Sequence, residues 1–401
     1  MARTQLLRAS RVVTPEGVLR DAWVQIADAR IVSVGSERPP IDAAFRDLAD
    51  AWLLPGYIDL HVHGGGGHGV ADSLESMDRA VAYHRGTGTT ASLVSLMAAP
   101  EEALSDQLGW AAELAQRGPT PPGRVLGSHL EGPFLSARRT GAQNAAYLTS
   151  PDAGVLGRLQ DAARGTLRIV TIAPELEGAL PLIGMLGETG VIAAMGHSDA
   201  SYEQGLAAIR AGASHTTHLF NAMRPLHHRE PGLAGAALEA GLTCELINDG
   251  IHVHPAMVRL VFELIPHPVL VTDATAATGA GDGRFELGGQ AVEVRGGVAH
   301  LAGTDTLAGS TLTMAAAVRR AVHASGISVE RASAAASANP ARVLGLEREI
   351  GSIAPGLCAD LVVLDHELEV TDVMASGVWC PRTEKEPPLS QSAGREQNER
   401  D

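Results

Sequence analysis

From residue 56 to about residue 344 the chain alternates short apolar runs with longer amphipathic ones. The short runs are GYIDLHV (56–62), TTASLVSL (89–96), VLGSHL (125–130), LRIVTIA (167–173), VIAAMG (191–196), SHTTHL (214–219), TCELIN (243–248) and PVLVTD (268–273). Each is rich in β-branched or small residues and ends in a turn signal, so each predicts a strand. Between them lie helical patterns: SLESMDRAVAYHR, PEEALSDQLGWAAELAQR, DAGVLGRLQDAA, ALPLIGMLGET, SYEQGLAAIRAG, HPAMVRLVFELI and TLTMAAAVRRAVHASG. Eight strands alternating with helices predict an α/β fold, a (β/α)8 barrel of TIM type. An open doubly wound sheet is the alternative that the same alternation allows. Residues 275–309 have hairpin character and predict an insertion after the eighth strand.

The two ends of the chain have a different rhythm. LLRASRVVTPEG, DAWVQIADARIVSVG and FRDLADAWLLPG alternate with Gly, Pro and Asp turn signals, and so do REIGSIAPGLCADLVVLD and VTDVMASGVWC. Residues 1–54 and 345–383 are therefore expected to build one small β-sandwich beside a barrel spanning 55–344. Residues 384–401 are polar and unpatterned and are expected to be a disordered tail.

Barrel chemistry gathers at the C-terminal ends of the strands. Here those ends carry His61 and His63, Glu131, His197, His218, then Asn248, Asp249 and His252, and finally Asp273. Residues i and i+2 of a strand share a face, so His61 and His63 should both point into the barrel mouth. Four glycines follow, which permits close backbone packing there. A lone histidine at a strand end is usually structural. Four histidines, a glutamate and an aspartate spread over five strand ends form the donor set of a divalent metal ion. His68, His84, His129, His215, His267, His300, His323 and His366 keep the plain reading of packing or surface residues.

Composition narrows the classes. The formal charge of −15 argues against nucleic-acid and anionic-membrane binding, and an anionic substrate would need local positive groups. Cys244, Cys358 and Cys380 are scattered, with no thiolate metal motif or disulfide framework. The opening residues lack the long apolar core of a signal peptide, so a cytoplasmic protein is expected. The only lysine is Lys385, near the C-terminus. The barrel therefore holds no lysine, which closes any chemistry that needs one there.

LPGYIDLHVHG resembles the first barrel strand of the amidohydrolase superfamily. HLEGPFLS, AMGHSDA, THLFNAM, REPGLAGA, NDGIHVHP, LVTDATAATG and LAGSTLTM resemble, within it, the N-acetylglucosamine-6-phosphate deacetylases. That resemblance covers nearly the whole chain. It implies a metal-dependent hydrolase barrel with a small β-sandwich, and hydrolysis of the acetamide of N-acetylglucosamine 6-phosphate to glucosamine 6-phosphate and acetate. Amino-sugar catabolism and cell-wall recycling are the implied setting, and a homodimer the implied assembly.

By the same resemblance Glu131, His197 and His218 hold the principal ion, and His61 and His63 a second. Zinc suits these donors, as do iron, manganese and cobalt. Asp273 would take a proton from water and later give one to the departing amine, with a purely ligating role as the alternative. Arg229 and His252 would receive the phosphate. The arginine of relatives can come from the neighbouring subunit, and a surface salt bridge is the plainer reading. Asn221 and Ala222 would contact substrate partly through backbone, and Leu307, Ala308 and Gly309 would close over the sugar. Ala142 and Gln143, in RRTGAQN, complete the substrate-binding set. Gln143 stands where some relatives carry a histidine that polarises the acetyl carbonyl. It can donate a hydrogen bond but cannot become cationic. A deacetylase of the galactosamine epimer, another amidohydrolase and a catalytically silent scaffold remain as rivals.

Overall fold

The computed structural model describes residues 4–37, 39, 45–118 and 124–381. The expected tail at 384–401, with Lys385, lies outside the described residues.

The chain opens with five strands, β1 (Thr4–Thr14), β2 (Gly17–Ala27), β3 (Arg30–Gly35), β4 (Arg46–Asp47) and β5 (Trp52–Pro55). After Gly56 it enters the first barrel strand, β6 (Tyr57–Asp59). The glycine run then folds into a small antiparallel pair, β7 (Gly64–Gly65) with β8 (His68–Gly69). A Cβ on Gly64 would sit 2.5 Å from the backbone nitrogen of Ala276. The missing side chains therefore let this loop press against the loop after the eighth barrel strand.

Helix and strand alternate from there: α1 (Leu74–Gly86), β9 (Thr89–Met97), α2 (Glu101–Gln116), β10 (Arg124–Glu131), α3 (Ala153–Ala162), β11 (Leu167–Ile172), α4 (Ala179–Glu188) and β12 (Ile192–Met195). The second half follows with α5 (Tyr202–Ala211), β13 (His215–Thr216), α6 (Gly232–Glu239), β14 (Thr243–Ile247), α7 (Pro255–Leu264) and β15 (Val269–Val271). Local chemistry sets the helix starts. Ser73 caps α1, Ser201 and Gln204 form a reciprocal capping box on α5, and Pro255 opens α7.

The eight barrel strands pair in the order β15-β14-β13-β12-β11-β10-β9-β6, all in parallel. The ring closes where Asp273 N donates to His61 O at 2.9 Å and His63 N to Ala274 O at 2.8 Å. The barrel reading holds over the open sheet. Every residue of β9 is buried, as a parallel strand covered on both faces requires.

After β15 the chain runs through a three-stranded antiparallel sheet: β16 (Gly283–Leu287), β17 (Gln290–Arg295) and β18 (Val298–Leu301). Then come α8 (Met314–His323), α9 (Val329–Ala336) and α10 (Ala338–Val343), and the last strands β19 (Leu361–Leu364), β20 (Val370–Ala375) and β21 (Val378–Trp379).

Strands from both ends of the chain join in one sandwich-like sheet, ordered β21-β20-β19-β5-β1-β2-β3, with β4 also on β1. Its core of Leu7, Val12, Val24, Ile26, Leu53, Leu361 and Val363 is separate from the barrel core. The helix α6, from GLAGAALE, had no signal in the apolar periodicity. Six of its eight residues are buried, so no polar face marks it. Among the described residues no helix is long and apolar enough to cross a membrane.

Candidate active site and metal centre

Glu131 is the last residue of β10, and the other donors lie just past their ladders rather than within them. His61 and His63 follow β6 by two and four residues, and His197, His218 and Asp273 each follow β12, β13 and β15 by two. The strands are thus shorter than the apolar runs suggested. His197, His218 and Asp273 have φ of 46°, 26° and 50°. Left-handed backbone at three non-glycine residues costs on the order of 1–3 kcal/mol each and is retained where the geometry has a use.

These turns aim the side chains at one point. Glu131 Oε1 lies 2.9 Å from His197 Nε2 and 2.9 Å from His218 Nε2, and the two nitrogens are 3.1 Å apart. On the other side, His61 Nε2 and His63 Nε2 are 3.0 Å apart, and Asp273 Oδ1 lies 3.5 Å and 3.2 Å from them. Glu131 joins the halves, with Oε1 3.5 Å from His61 Nε2 and Oε2 3.4 Å from His63 Nε2. Donor atoms about 3 Å apart suit an ion bound at about 2.0–2.2 Å from each. Two such groups stand side by side, Glu131–His197–His218 and His61–His63–Asp273.

Electrostatics supports a cation. Burial pushes His61 towards its neutral form, yet Glu131 and Asp273 outweigh burial and raise its proton affinity well above the usual value. His63 is likewise raised, to about 9, as hydrogen bonds to Asp273 and Glu131 outweigh burial. Two buried imidazoles that would otherwise take protons mark a place where positive charge is needed, and a divalent ion meets that need with the imidazoles neutral.

The cage floors a cavity of about 320 Å³. His63, Glu131, His197, His218 and Asp273 line it, together with Ala142, Gln143, Asn221, Ala222, His252, Leu307 and Gly309. Three expected residues do not reach it. His61 is fully buried behind the wall. Ala308 is also buried, its N–H given to Ala299 O at 3.0 Å, so it supports the wall from behind. Arg229 is exposed on the loop before α6, its Nη1 2.9 Å from His228 Nε2, and it does not share a pocket with His252 in its own chain. A cluster of Met97, Ala142, Ala277, Leu287 and Val292 fastens the inserted sheet over the cavity. Gln290 Nε2 from β17 donates to Ala142 O at 2.6 Å.

The sequence matches the amidohydrolase family over residues 52–380. The chain belongs to the amidohydrolase family. It is 40% identical to an N-acetylgalactosamine-6-phosphate deacetylase of Escherichia coli O157:H7, over 93% of this chain and 98% of that one. It is 38% identical to the N-acetylglucosamine-6-phosphate deacetylase of Bacillus subtilis, over 94% and 97%. Its fold is similar to that of a mutant N-acetyl-D-glucosamine-6-phosphate deacetylase of Mycobacterium smegmatis solved with N-acetyl-D-glucosamine-6-phosphate. That comparison has a TM-score of 0.90 and 45% identity, and covers 94% and 99% of the two chains.

Two buried carboxylates of this amidohydrolase escaped sequence reasoning. Glu245 is wholly buried in β14 and bonds His61 Nδ1 and His215 Nε2. Burial pushes its carboxyl up, and the two imidazoles outweigh that and hold it well below the usual range. Asp59 accepts from Thr272 and from His61 N, and burial raises its carboxyl to about 6 despite those bonds. His129 sits between Ser95 and Thr171 and is pushed down to about 3 by burial and by the neighbouring His61. The available signal was an acidic residue inside an apolar run, as in TCELIN and GYIDLHV. His129 and His215 are packing residues as expected, but they pack around the cage. Gln143 also has an unexpected task. Its Nε2 donates to Glu131 Oε2 at 2.8 Å while its Oε1 accepts from Ala98 N at 2.9 Å. It steadies the Glu131 carboxylate as well as facing the cavity.

Proposed function

We propose that the protein hydrolyses the acetamide of N-acetylglucosamine 6-phosphate to glucosamine 6-phosphate and acetate, using one or two divalent ions held by Glu131, His197, His218, His61 and His63. The supporting observation is the convergence of these donors and Asp273 in one cage, all but His61 on the floor of a cavity whose wall includes His252. An ion held there would lower the pKa of a water ligand towards about 7 and polarise a carbonyl. Zinc is the natural choice for this set of nitrogen and carboxylate donors.

Asp273 takes the proton of the attacking water on Oδ2, since Oδ1 faces His61 and His63. The tetrahedral centre then collapses, the C–N bond breaks, and Asp273 returns its proton to the amine nitrogen. In the metal-free protein His61, His63 and His218 outweigh burial and lower the Asp273 carboxyl; a bound ion would supply that positive charge in their place. Asn221 and the backbone near Ala222 orient the sugar. The inserted sheet, held by Leu287 and Gln290, keeps bulk water off the reacting bond.

His252 receives the phosphate. Asp249 Oδ2 lies 2.6 Å from its Nδ1, and that carboxylate raises the imidazole above its usual 6.5 in spite of burial. Arg229 completes the phosphate site from a second subunit of a homodimer, since it stands clear of its own cavity. The setting is cytoplasmic amino-sugar breakdown.

The two epimeric relatives have nearly the same identity, so the galactosamine epimer is the second reading. The test is acetate release by zinc-loaded protein from the two epimeric 6-phosphates and from both dephosphorylated sugars. The proposal expects N-acetylglucosamine 6-phosphate to have the highest kcat/KM. Preference for the galactosamine compound selects the second reading, and no acetate from either phosphate contradicts both.

A further inference from the structure

The reaction above leaves two fully buried carboxylates, Asp59 and Glu245, without a task, and of these Glu245 bonds a cage imidazole. Glu245 lies among Cys244, Leu246 and Ile247, all buried, where a charged group is costly unless its lone pairs are met. Three donors meet them. Oε1 accepts from His215 Nε2 at 2.9 Å. Oε2 accepts from His61 Nδ1 at 3.1 Å and from the backbone N–H of His218 at 3.2 Å. The Glu245 carbonyl also accepts from Leu219 N at 2.9 Å.

His61 and His218 belong to different halves of the cage. Donation from Nδ1 fixes His61 in the tautomer whose Nε2 lone pair faces the His63 side. The bond to His218 N lies where that residue bends into left-handed backbone, at φ 26°, to aim its ring at Glu131 and His197. His129, whose ring centroid is 4.7 Å from that of His61, has both nitrogens engaged by Ser95 and Thr171 and does not compete for Glu245.

We infer that Glu245 is a positioning residue for both ion sites, orienting the His61 ring for the second ion and the His218 backbone for the first. This rests on the two-ion reading above. A glutamine at 245 would remove the charge and set one acceptor oxygen and a donating amide against three donors, so a contact is lost or His215, whose Nδ1 has no partner among the described residues, must change tautomer.

The test is titration of metal-free protein with Co²⁺, followed by visible absorption and equilibrium dialysis, with thermal melts of the metal-free forms. Wild type should take up two equivalents. Glu245→Gln should weaken the second by about 10–100-fold and the first by less. His215→Asn removes a donor but leaves the His61 and His218 contacts, and should change either affinity by less than about threefold on the same scale. Unchanged affinities in Glu245→Gln, with or without a lower melting temperature, overturn the inference, as does an equal loss in His215→Asn. Wild type taking one equivalent ends the two-ion reading, and the inference then stands or falls on that ion's affinity in Glu245→Gln. Should Glu245→Gln not fold, nitrogen NMR of histidine-labelled, zinc-loaded wild type decides: His61 must carry its proton on Nδ1, and a proton on Nε2 overturns the inference.

Discussion

At the scale of single residues, Asp273 is the most exposed to test. Asp273→Asn keeps size and shape but cannot accept the water proton. It should lower kcat by about 10²–10⁴-fold. Zinc should remain in the Glu131–His197–His218 group, as metal analysis would show. Near-normal turnover would leave Asp273 a ligand only. His252 yields a pH prediction. Its proton affinity is raised by Asp249, so it stays cationic above pH 6.5 and loses its charge as pH rises through the raised value. KM for the phosphorylated substrate should climb over that range, while KM for the dephosphorylated sugar should not. Asp249→Asn removes the cause, so the climb should begin at lower pH with kcat little changed. Identical KM profiles for the two proteins would remove His252 from phosphate recognition.

At the scale of elements, the cage stands on turns that leave the barrel, and the inserted sheet of β16, β17 and β18 forms its cover. Gln290→Ala cuts the bond from that cover to Ala142 O. KM should rise several-fold, on the order of one lost hydrogen bond, with little change in melting temperature. Equal kinetics would show the cover held by its apolar cluster alone. The barrel strands and the His-x-His pair were legible because apolar runs ending in polar residues have one simple meaning in such a fold. The left-handed turns at His197 and His218 were not, because residue type does not reveal a strained φ. Glu245 was hidden for a related reason. Its three partners come from the turn after β6, from β13 and from the turn after β13, and only the closed barrel brings them together. Gln143 is expected to face substrate, and its hold on Glu131 depends on a loop path that no local pattern encodes.

At the scale of the molecule, the proposed substrate carries a doubly charged phosphate, and in the cavity of this acidic chain His252 is the group assigned to it. Arg229 stands outside on an exposed loop beside Leu226, another exposed residue. The protein is therefore expected to be a homodimer by light scattering. Arg229→Ala should lower kcat/KM for the 6-phosphate by about tenfold, as loss of a charge-assisted bond implies. An active monomer indifferent to that change would contradict the shared site. Beneath these details is the claim that the floor of the cavity is a metal cage. Anomalous scattering at the zinc edge, from crystals of active protein grown with zinc, tests it most directly. The account predicts a peak about 2.0–2.2 Å from Glu131, His197 and His218. Active protein with no peak among those three residues would contradict it.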